Sequence, residues 1–244
     1  MFLAVIGFIA IAANDAVAQT NDAAAQELLA GAATDAPVYQ QLKAKFIDGG
    51  VGFMTSILLC LILGLAVAIE RIIYLSLSTV NTQKLIAKVE EALNNGGVEA
   101  ALEVCRNTRG PVASIFYQGL SRMDQGLEAV EKSVVSYGGV QAGQLESGLT
   151  WLSLFIAMSP NLGFLGTVIG MIGAFDAIQA AGDISPIVVA SGIKVALITT
   201  VAGLIVALIL QVFFNYITSK VEGLVITMED ASVSLIDILV KAKK

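Results

Sequence analysis

The chain has 244 residues, of which 56% are hydrophobic and 14% charged, with a net charge of -6 and no histidine. Soluble domains carry about a quarter charged residues, so this balance points to lipid; no basic patch alternates with aromatics, which argues against a nucleic-acid partner. Losing histidine removes the commonest general base and the commonest metal ligand. No nucleophile–base pair, phosphate loop or metal cluster stands out, so neither an enzyme nor a cofactor or metal site is expected.

Residues 1–13 form an apolar run, followed by Ala16, Val17, Ala18 and then Gln19. A short apolar stretch before a small-x-small site reads as a secretory signal peptide, residues 1–18, although no Lys or Arg precedes it; retention as a short membrane anchor is the other reading. Residues 19–48 are expected outside the cytoplasm. They comprise an Ala-, Asn- and Asp-rich tail and then an amphipathic helix over 38–47, carrying Val38, Tyr39, Leu42 and Phe46 at helical spacing. That helix either lies on the outer face of the bilayer or leads into the first span.

Three stretches carry no charge at all: 49–69, 147–175 and 195–219. Each passes the threshold of about 18 apolar residues for a membrane span, since about 20 helical residues cross a hydrocarbon core of roughly 30 Å. Arg71, Lys84, Lys88, Arg106, Arg109, Arg122 and Lys132 lie between the first two spans. Lys220, Lys241, Lys243 and Lys244 follow the third, and residues 176–193 carry no cation. Positive charge stays cytoplasmic, so the connection over 176–194 faces out while the long loop and the tail face in. Lys43 and Lys45 are the minority on the outer side. A periplasmic N-terminus and a cytoplasmic C-terminus follow.

The loop over 70–146 has helical periodicity. Asn81 is placed to cap a helix that runs to Asn94 and is stopped by Asn95, Gly96 and Gly97; further helices cover 98–107 and 112–122. From Leu127 the pattern predicts an unbroken helix into the second span. The third span is likewise predicted to continue as a helix through 220–244, with Val221, Leu224, Val225, Met228, Leu235 and Ile236 at 3.6-residue spacing. The fold class expected is an all-α integral membrane protein with three transmembrane helices and long cytoplasmic helical extensions. Cys60 and Cys105 read as packing residues rather than a disulfide pair or reactive thiols.

Span two holds Gly163, Gly166, Gly170 and Gly173 with Pro160, and span three holds Gly192, Ala196, Thr199, Thr200, Gly203 and Ala207. Small residues at such spacing let backbones approach in lipid, and the chain is expected to oligomerise through these faces. Thr167 and Thr200 sit within them. Each hydroxyl either bonds back to a carbonyl one turn earlier or faces a wet lumen where an ion exchanges its hydration shell. None of the spans has an internal Asp, Glu or His, so a proton path through them needs a carboxylate from another subunit. Inverted-repeat symmetry and a charged midplane site are also missing, which weighs against a secondary transporter; a passive pore is the remaining reading of a different class.

The run 159–175, SPNLGFLGTVIGMIGAF, closely resembles the second-span signature of the ExbB/TolQ/MotA proton-channel family, and 192–204, GIKVALITTVAGL, resembles its third-span pattern. The likeness covers nearly everything from Gly49 onward and is nearest to ExbB. It implies a homo-oligomeric ring, typically a pentamer, with spans two and three lining a central pore. A dimer of an ExbD/TolR/MotB-type single-span subunit threads that pore and supplies one membrane Asp. It also implies that Thr167 and Thr200 match the family's pore threonines, and that the assembly uses proton motive force to energise TonB-dependent outer-membrane transport through a TonB-like protein. A stator for Tol-type envelope maintenance or for surface motility is the alternative within the family. One position departs from the pattern. ExbB and TolQ members usually carry Glu five residues before the matched Thr; Val195 stands there, as in flagellar stator relatives, with Lys194 just before it. Lys194 either snorkels to the outer interface or pairs at the pore mouth with an acid such as Asp183 or a partner residue.

Overall fold

The computed structural model describes residues 38–182 and 186–242; residues 1–18, where a signal peptide is expected, the tail to Pro37, Asp183, Lys243 and Lys244 lie outside them. Every regular element among these residues is a helix: α1 Val38–Asp48, α2 Val51–Ser78, α3 Thr82–Asn107, α4 Pro111–Leu120, a 3-10 turn Met123–Gln125, α5 Leu127–Glu146, α6 Leu149–Ala181 and α7 Pro186–Ala242. α2, α6 and α7 contain apolar windows long enough to cross a membrane. α1 falls almost entirely in a separate unit ending at Ile47, and all later helices belong to the unit that starts at Asp48.

Local chemistry sets the boundaries. Asn81 accepts the backbone N–H of Lys84 at 3.1 Å and caps α3, satisfying one of the orphan donors of its first turn. α3 runs on to Asn107, but Gly97 breaks it with φ 70 and ψ -163, where the Asn-Gly-Gly stop was expected. Pro111 opens α4 at the position where its missing N–H costs nothing. α2 overruns the charge-free stretch and reaches Ser78, while α6 and α7 extend into 176–194 and leave only Gly182 to residue 185 between them.

One expectation fails. The helix from Leu127 does not run unbroken into the second span; it ends at Glu146, and Gly148 starts α6 in the left-handed region with φ 87. Arg71 fills the space beside that glycine, where a methyl group would fall 2.6 Å from Nε. Arg71 Nε lies 2.8 Å from Glu70 Oε2, an ion pair between sequence neighbours in which the N–H is not aimed at the carboxylate; the guanidinium also sits 5.3 Å from the Tyr74 ring. A charge pattern read along the sequence does not reveal that an arginine from α2 needs this bend.

α2, α6 and α7 pack on one another through their apolar stretches. Beyond them α7 continues as the spine of a second helical region. At 57 residues it is about 85 Å long, far more than a bilayer needs. Its Val221, Met228, Leu235 and Leu239 are buried against α3, α4 and α5, which contribute Leu85, Val89, Cys105, Ile115, Phe116, Leu120, Val130 and Val134. Leu224, Val225 and Ile236 are partly buried on the same core.

Burial pushes the Cys105 thiol up to about 11. A raised thiol pKa keeps the neutral form dominant, so neutral-pH thiol reagents are expected to label Cys105 at least tenfold more slowly than an exposed cysteine. The same shift has a sign for stability: its contribution is complete below about pH 9 and fades as pH climbs towards about 11, because the unfolded chain ionises first. Labelling with a maleimide at pH 7.5, in native and denaturing conditions, checks the first point. Equal rates in the two states would show that the thiol is not protected.

Candidate functional site: the threonine-bearing flank of α6 and α7

The centre of the molecule is the antiparallel contact between α6 and α7, which glycine makes possible. A methyl group at Gly203 would fall 2.5 Å from the Ser159 carbonyl oxygen, and one at Gly163 would fall 2.8 Å from that of Thr199. Gly166 faces the Thr199 side chain, with a virtual Cβ 2.7 Å from Oγ1, and Gly192 faces Ala174. Gly170 has slightly more room, at 3.3 Å from the Gly192 carbonyl oxygen, and Gly173 has nothing within 4 Å. The small-residue stripe is therefore used mainly inside one chain, between its own two helices, and Gly173 alone among the four span-two glycines is open.

Two hydroxyls meet there, and a third lies one turn away on α6. Thr199 is fully buried; its Oγ1 lies 2.8 Å from the Ala196 carbonyl and 3.3 Å from those of Val195 and Gly163, so its single proton has three acceptors. Thr200 is half-buried, and its hydroxyl lies 3.4 Å from both the Gly163 and the Ala196 carbonyls, a long contact that constrains it little. Thr167, one turn along α6 from Gly163, donates to the Phe164 carbonyl at 2.6 Å. The back-bonding to a carbonyl is present at both Thr167 and Thr200. Both side chains nonetheless remain partly open.

Direction separates the threonines. α2 and the residues leading into it approach α7 at Lys194, Ile198 and Leu210, through Asp48, Gly49 and Gly64 respectively. At 100° per residue those positions centre on the side of α7 nearly opposite Thr200. On α6, the α2 side is marked by Ser159 beside Cys60 and by the Gly148 cap against Arg71, about a quarter-turn from Thr167. Thr167 and Thr200 therefore share the flank of the α6–α7 pair that α2 leaves uncovered, and Thr199 points into the contact. Adjacent threonines look equivalent in sequence; the register of α7 on α6 assigns one to packing and one to the open flank.

Lys194 lies on the α2 side. Its Nζ is 2.7 Å from Asp48 Oδ2, and both side chains are partly exposed. The pair ties Asp48, just ahead of the first apolar helix, to the third. An exposed ion pair of this kind is worth little in stability, and its effect is positional.

Two polar features escaped the sequence reading. Ser159 is fully buried at the Gly203 crossing, its hydroxyl bonded to the Phe155 carbonyl at 2.8 Å. Gln211 and Asn215 form an amide pair within the third apolar stretch, with Nε2 donating to Oδ1 at 3.1 Å. A search for titratable groups passes over neutral amides, though Gln and Asn inside a charge-free stretch are visible signals.

Residues 107–230 match the family model of the MotA/TolQ/ExbB proton channel family. The chain belongs to that family. The match takes in α4, α5, α6 and most of α7, and with them both threonines and the α6–α7 crossing. Among curated relatives, a biopolymer transport protein ExbB homolog of Methanothermobacter thermautotrophicus is 36% identical over 66% of this chain and 57% of its own length. The biopolymer transport protein exbB1 of Vibrio cholerae is 48% identical over 28% of this chain and 30% of its own length. An ExbB-like protein of Synechocystis is 30% identical over 73% of this chain and 71% of its own length. The chain thus spans little more than half of the first of these relatives and under a third of the second.

Proposed function

We propose that this chain is the channel subunit of an ion-driven stator in the inner membrane, energising TonB-dependent outer-membrane transport with the proton motive force. The observation that carries the reading is the flank bearing Thr167 and Thr200, which α2 leaves open while the spans hold no carboxylate of their own. Copies assembled as a ring, a pentamer in the family pattern, turn this flank towards a central pore. An ExbD/TolR/MotB-like single-span subunit occupies the pore and supplies the membrane Asp, which explains why the chain needs none. The relatives' names as biopolymer transport proteins favour the TonB-linked output. Val195, at the position where ExbB and TolQ members usually carry Glu, favours the second reading, a stator for Tol-type envelope maintenance or surface motility. The neighbouring TonB-like, Tol-like or motility gene separates the two.

Reconstitution tests the channel. Proton flux is expected from vesicles holding chain and partner, and none from vesicles with the partner's Asp neutralised or the partner omitted. Selective flux without the partner would overturn the assignment. Orientation is tested separately on intact spheroplasts with an impermeant maleimide. Asp183→Cys is expected to label and Lys84→Cys to remain protected, and the opposite pattern would invert the topology.

A further inference from the structure

The threonines do not exhaust the polar groups on the open flank. Gln211 and Asn215 stand one turn apart on α7 and project within about 60° of Thr200, on the side turned away from α2. Thr218 projects in the same direction, and its Oγ1 is shielded from solvent without a hydrogen-bond partner among the described residues. α6 contributes from across the crossing. The register set by Ser159 against Gly203 and by Gly163 against Thr200 carries the exposed Ser153 to within about one turn of the level of Gln211, on the flank of Thr167. Gln211 lies about 16 Å along α7 from Thr200, towards the region built by α3, α4 and α5. Leu204, Ala207 and Leu208 line the interval between them.

The Gln211–Asn215 bond satisfies one donor and one acceptor and leaves the other amide groups without a partner among the described residues. Such groups are costly against hydrocarbon, and an apolar pair would serve a lipid-facing position better. We infer that Ser153, Gln211, Asn215 and Thr218 form a second polar belt, a hydrated station that receives the cation beyond the threonines and passes it towards the α3–α5 side. This rests on the proposed channel reading. All four groups offer neutral oxygens, which suit a hydronium ion or an alkali cation with its water and cannot store the proton themselves. The leucine-lined interval between the belts is the dry step, the stretch along which the partner's carboxylate has to carry the charge.

Single engineered cysteines in a chain with Cys60→Ser and Cys105→Ser, assembled with the partner in inverted vesicles, test this with an impermeant cationic methanethiosulfonate. Gln211→Cys and Asn215→Cys are expected to react at least tenfold faster than Leu208→Cys in the dry interval or Ile209→Cys on the opposite side. Thr200→Cys, probed from both faces, reports on the channel reading separately. If Thr200→Cys labels while Gln211→Cys is as slow as Ile209→Cys, the belt is wrong and the channel stands; if neither labels from either face, the channel reading falls. In flux assays the double variant Gln211→Leu, Asn215→Leu is expected to lose at least tenfold, and serine at both positions to restore most of it. Undiminished flux in the double leucine variant overturns the belt; should that variant fail to assemble, the labelling ratio decides alone.

Discussion

Replacing either Thr167 or Thr200 with valine is expected to leave the assembly intact and to abolish ion-driven work. Valine keeps the branched shape and removes only the oxygen. Stability should barely move, because the Thr200 contacts are long at 3.4 Å, and polar contacts between membrane helices average about 0.6 kcal/mol. The Thr167 hydroxyl bonds only within its own helix, to a carbonyl at 2.6 Å. Transport is far less forgiving. One charge crossing 100 mV releases about 2.3 kcal/mol, so a barrier raised by that amount cancels the drive for a step. An ion at this depth has few other side-chain oxygens, since Thr199 is turned into the helix contact and the residues around both threonines are otherwise apolar or glycine. Thr199→Val is the internal control. It removes a buried hydroxyl from the α6–α7 contact, so it should lower stability by about 1 kcal/mol while each assembled ring keeps working. Energised uptake, or the work indicated by the neighbouring genes, is measured at matched expression. Full activity in both Thr167→Val and Thr200→Val rings would reduce these hydroxyls to packing groups.

That contrast also marks how far the sequence could be read. Charge-free stretches of sufficient length located the three apolar helices, because a membrane span has to exclude charge over its whole width. Asn81 announced the start of α3, and the 3.6-residue spacing of Val221, Met228 and Leu235 announced the continuation of α7, because both are local signals. What stayed hidden depends on distant partners. Gly148 bends the chain where Arg71 arrives from α2, and nothing near residue 148 forecasts that arrival. Thr199 and Thr200 differ by 100° on one helix, so only the register against Gly163 tells them apart. Lys194 meets an acid 146 positions earlier in the chain, at Asp48, a pairing that nothing near residue 194 forecasts. The glycine stripe was legible as a packing face, but whether it meets the same chain or another copy was not.

The glycines give the second large expected effect, a graded one. Gly203→Ala should be the most damaging single methyl group in the molecule. It meets the backbone of α6 at two successive turns, the Ser159 carbonyl oxygen at 2.5 Å and the Gly163 Cα at 3.3 Å, so the two helices must part for it to fit. Overpacking costs about 1–3 kcal/mol where side chains can adjust, and parted backbones lie at or beyond the upper end, since packing is the main attraction between helices in lipid. Gly163→Ala should follow closely, facing the Thr199 carbonyl oxygen at 2.8 Å. Gly166→Ala presses on the Thr199 side chain and should cost less. Gly170→Ala needs a shift of only a few tenths of an ångström at 3.3 Å, and the gain in helix propensity, about 1 kcal/mol, should nearly cancel it. Gly173 is open, so Gly173→Ala should leave the isolated chain as stable as before or slightly more so. The bulkier Gly173→Leu then asks a different question: if another copy packs there, the ring should fall apart while the chain stays folded. Unfolding midpoints in mixed micelles rank the alanine series, and native mass spectrometry follows the ring. A Gly203→Ala chain as stable as Gly173→Ala would show that α6 and α7 do not cross at Ser159 and Gly203, and the placement of Thr200 on the open flank would fall with that register.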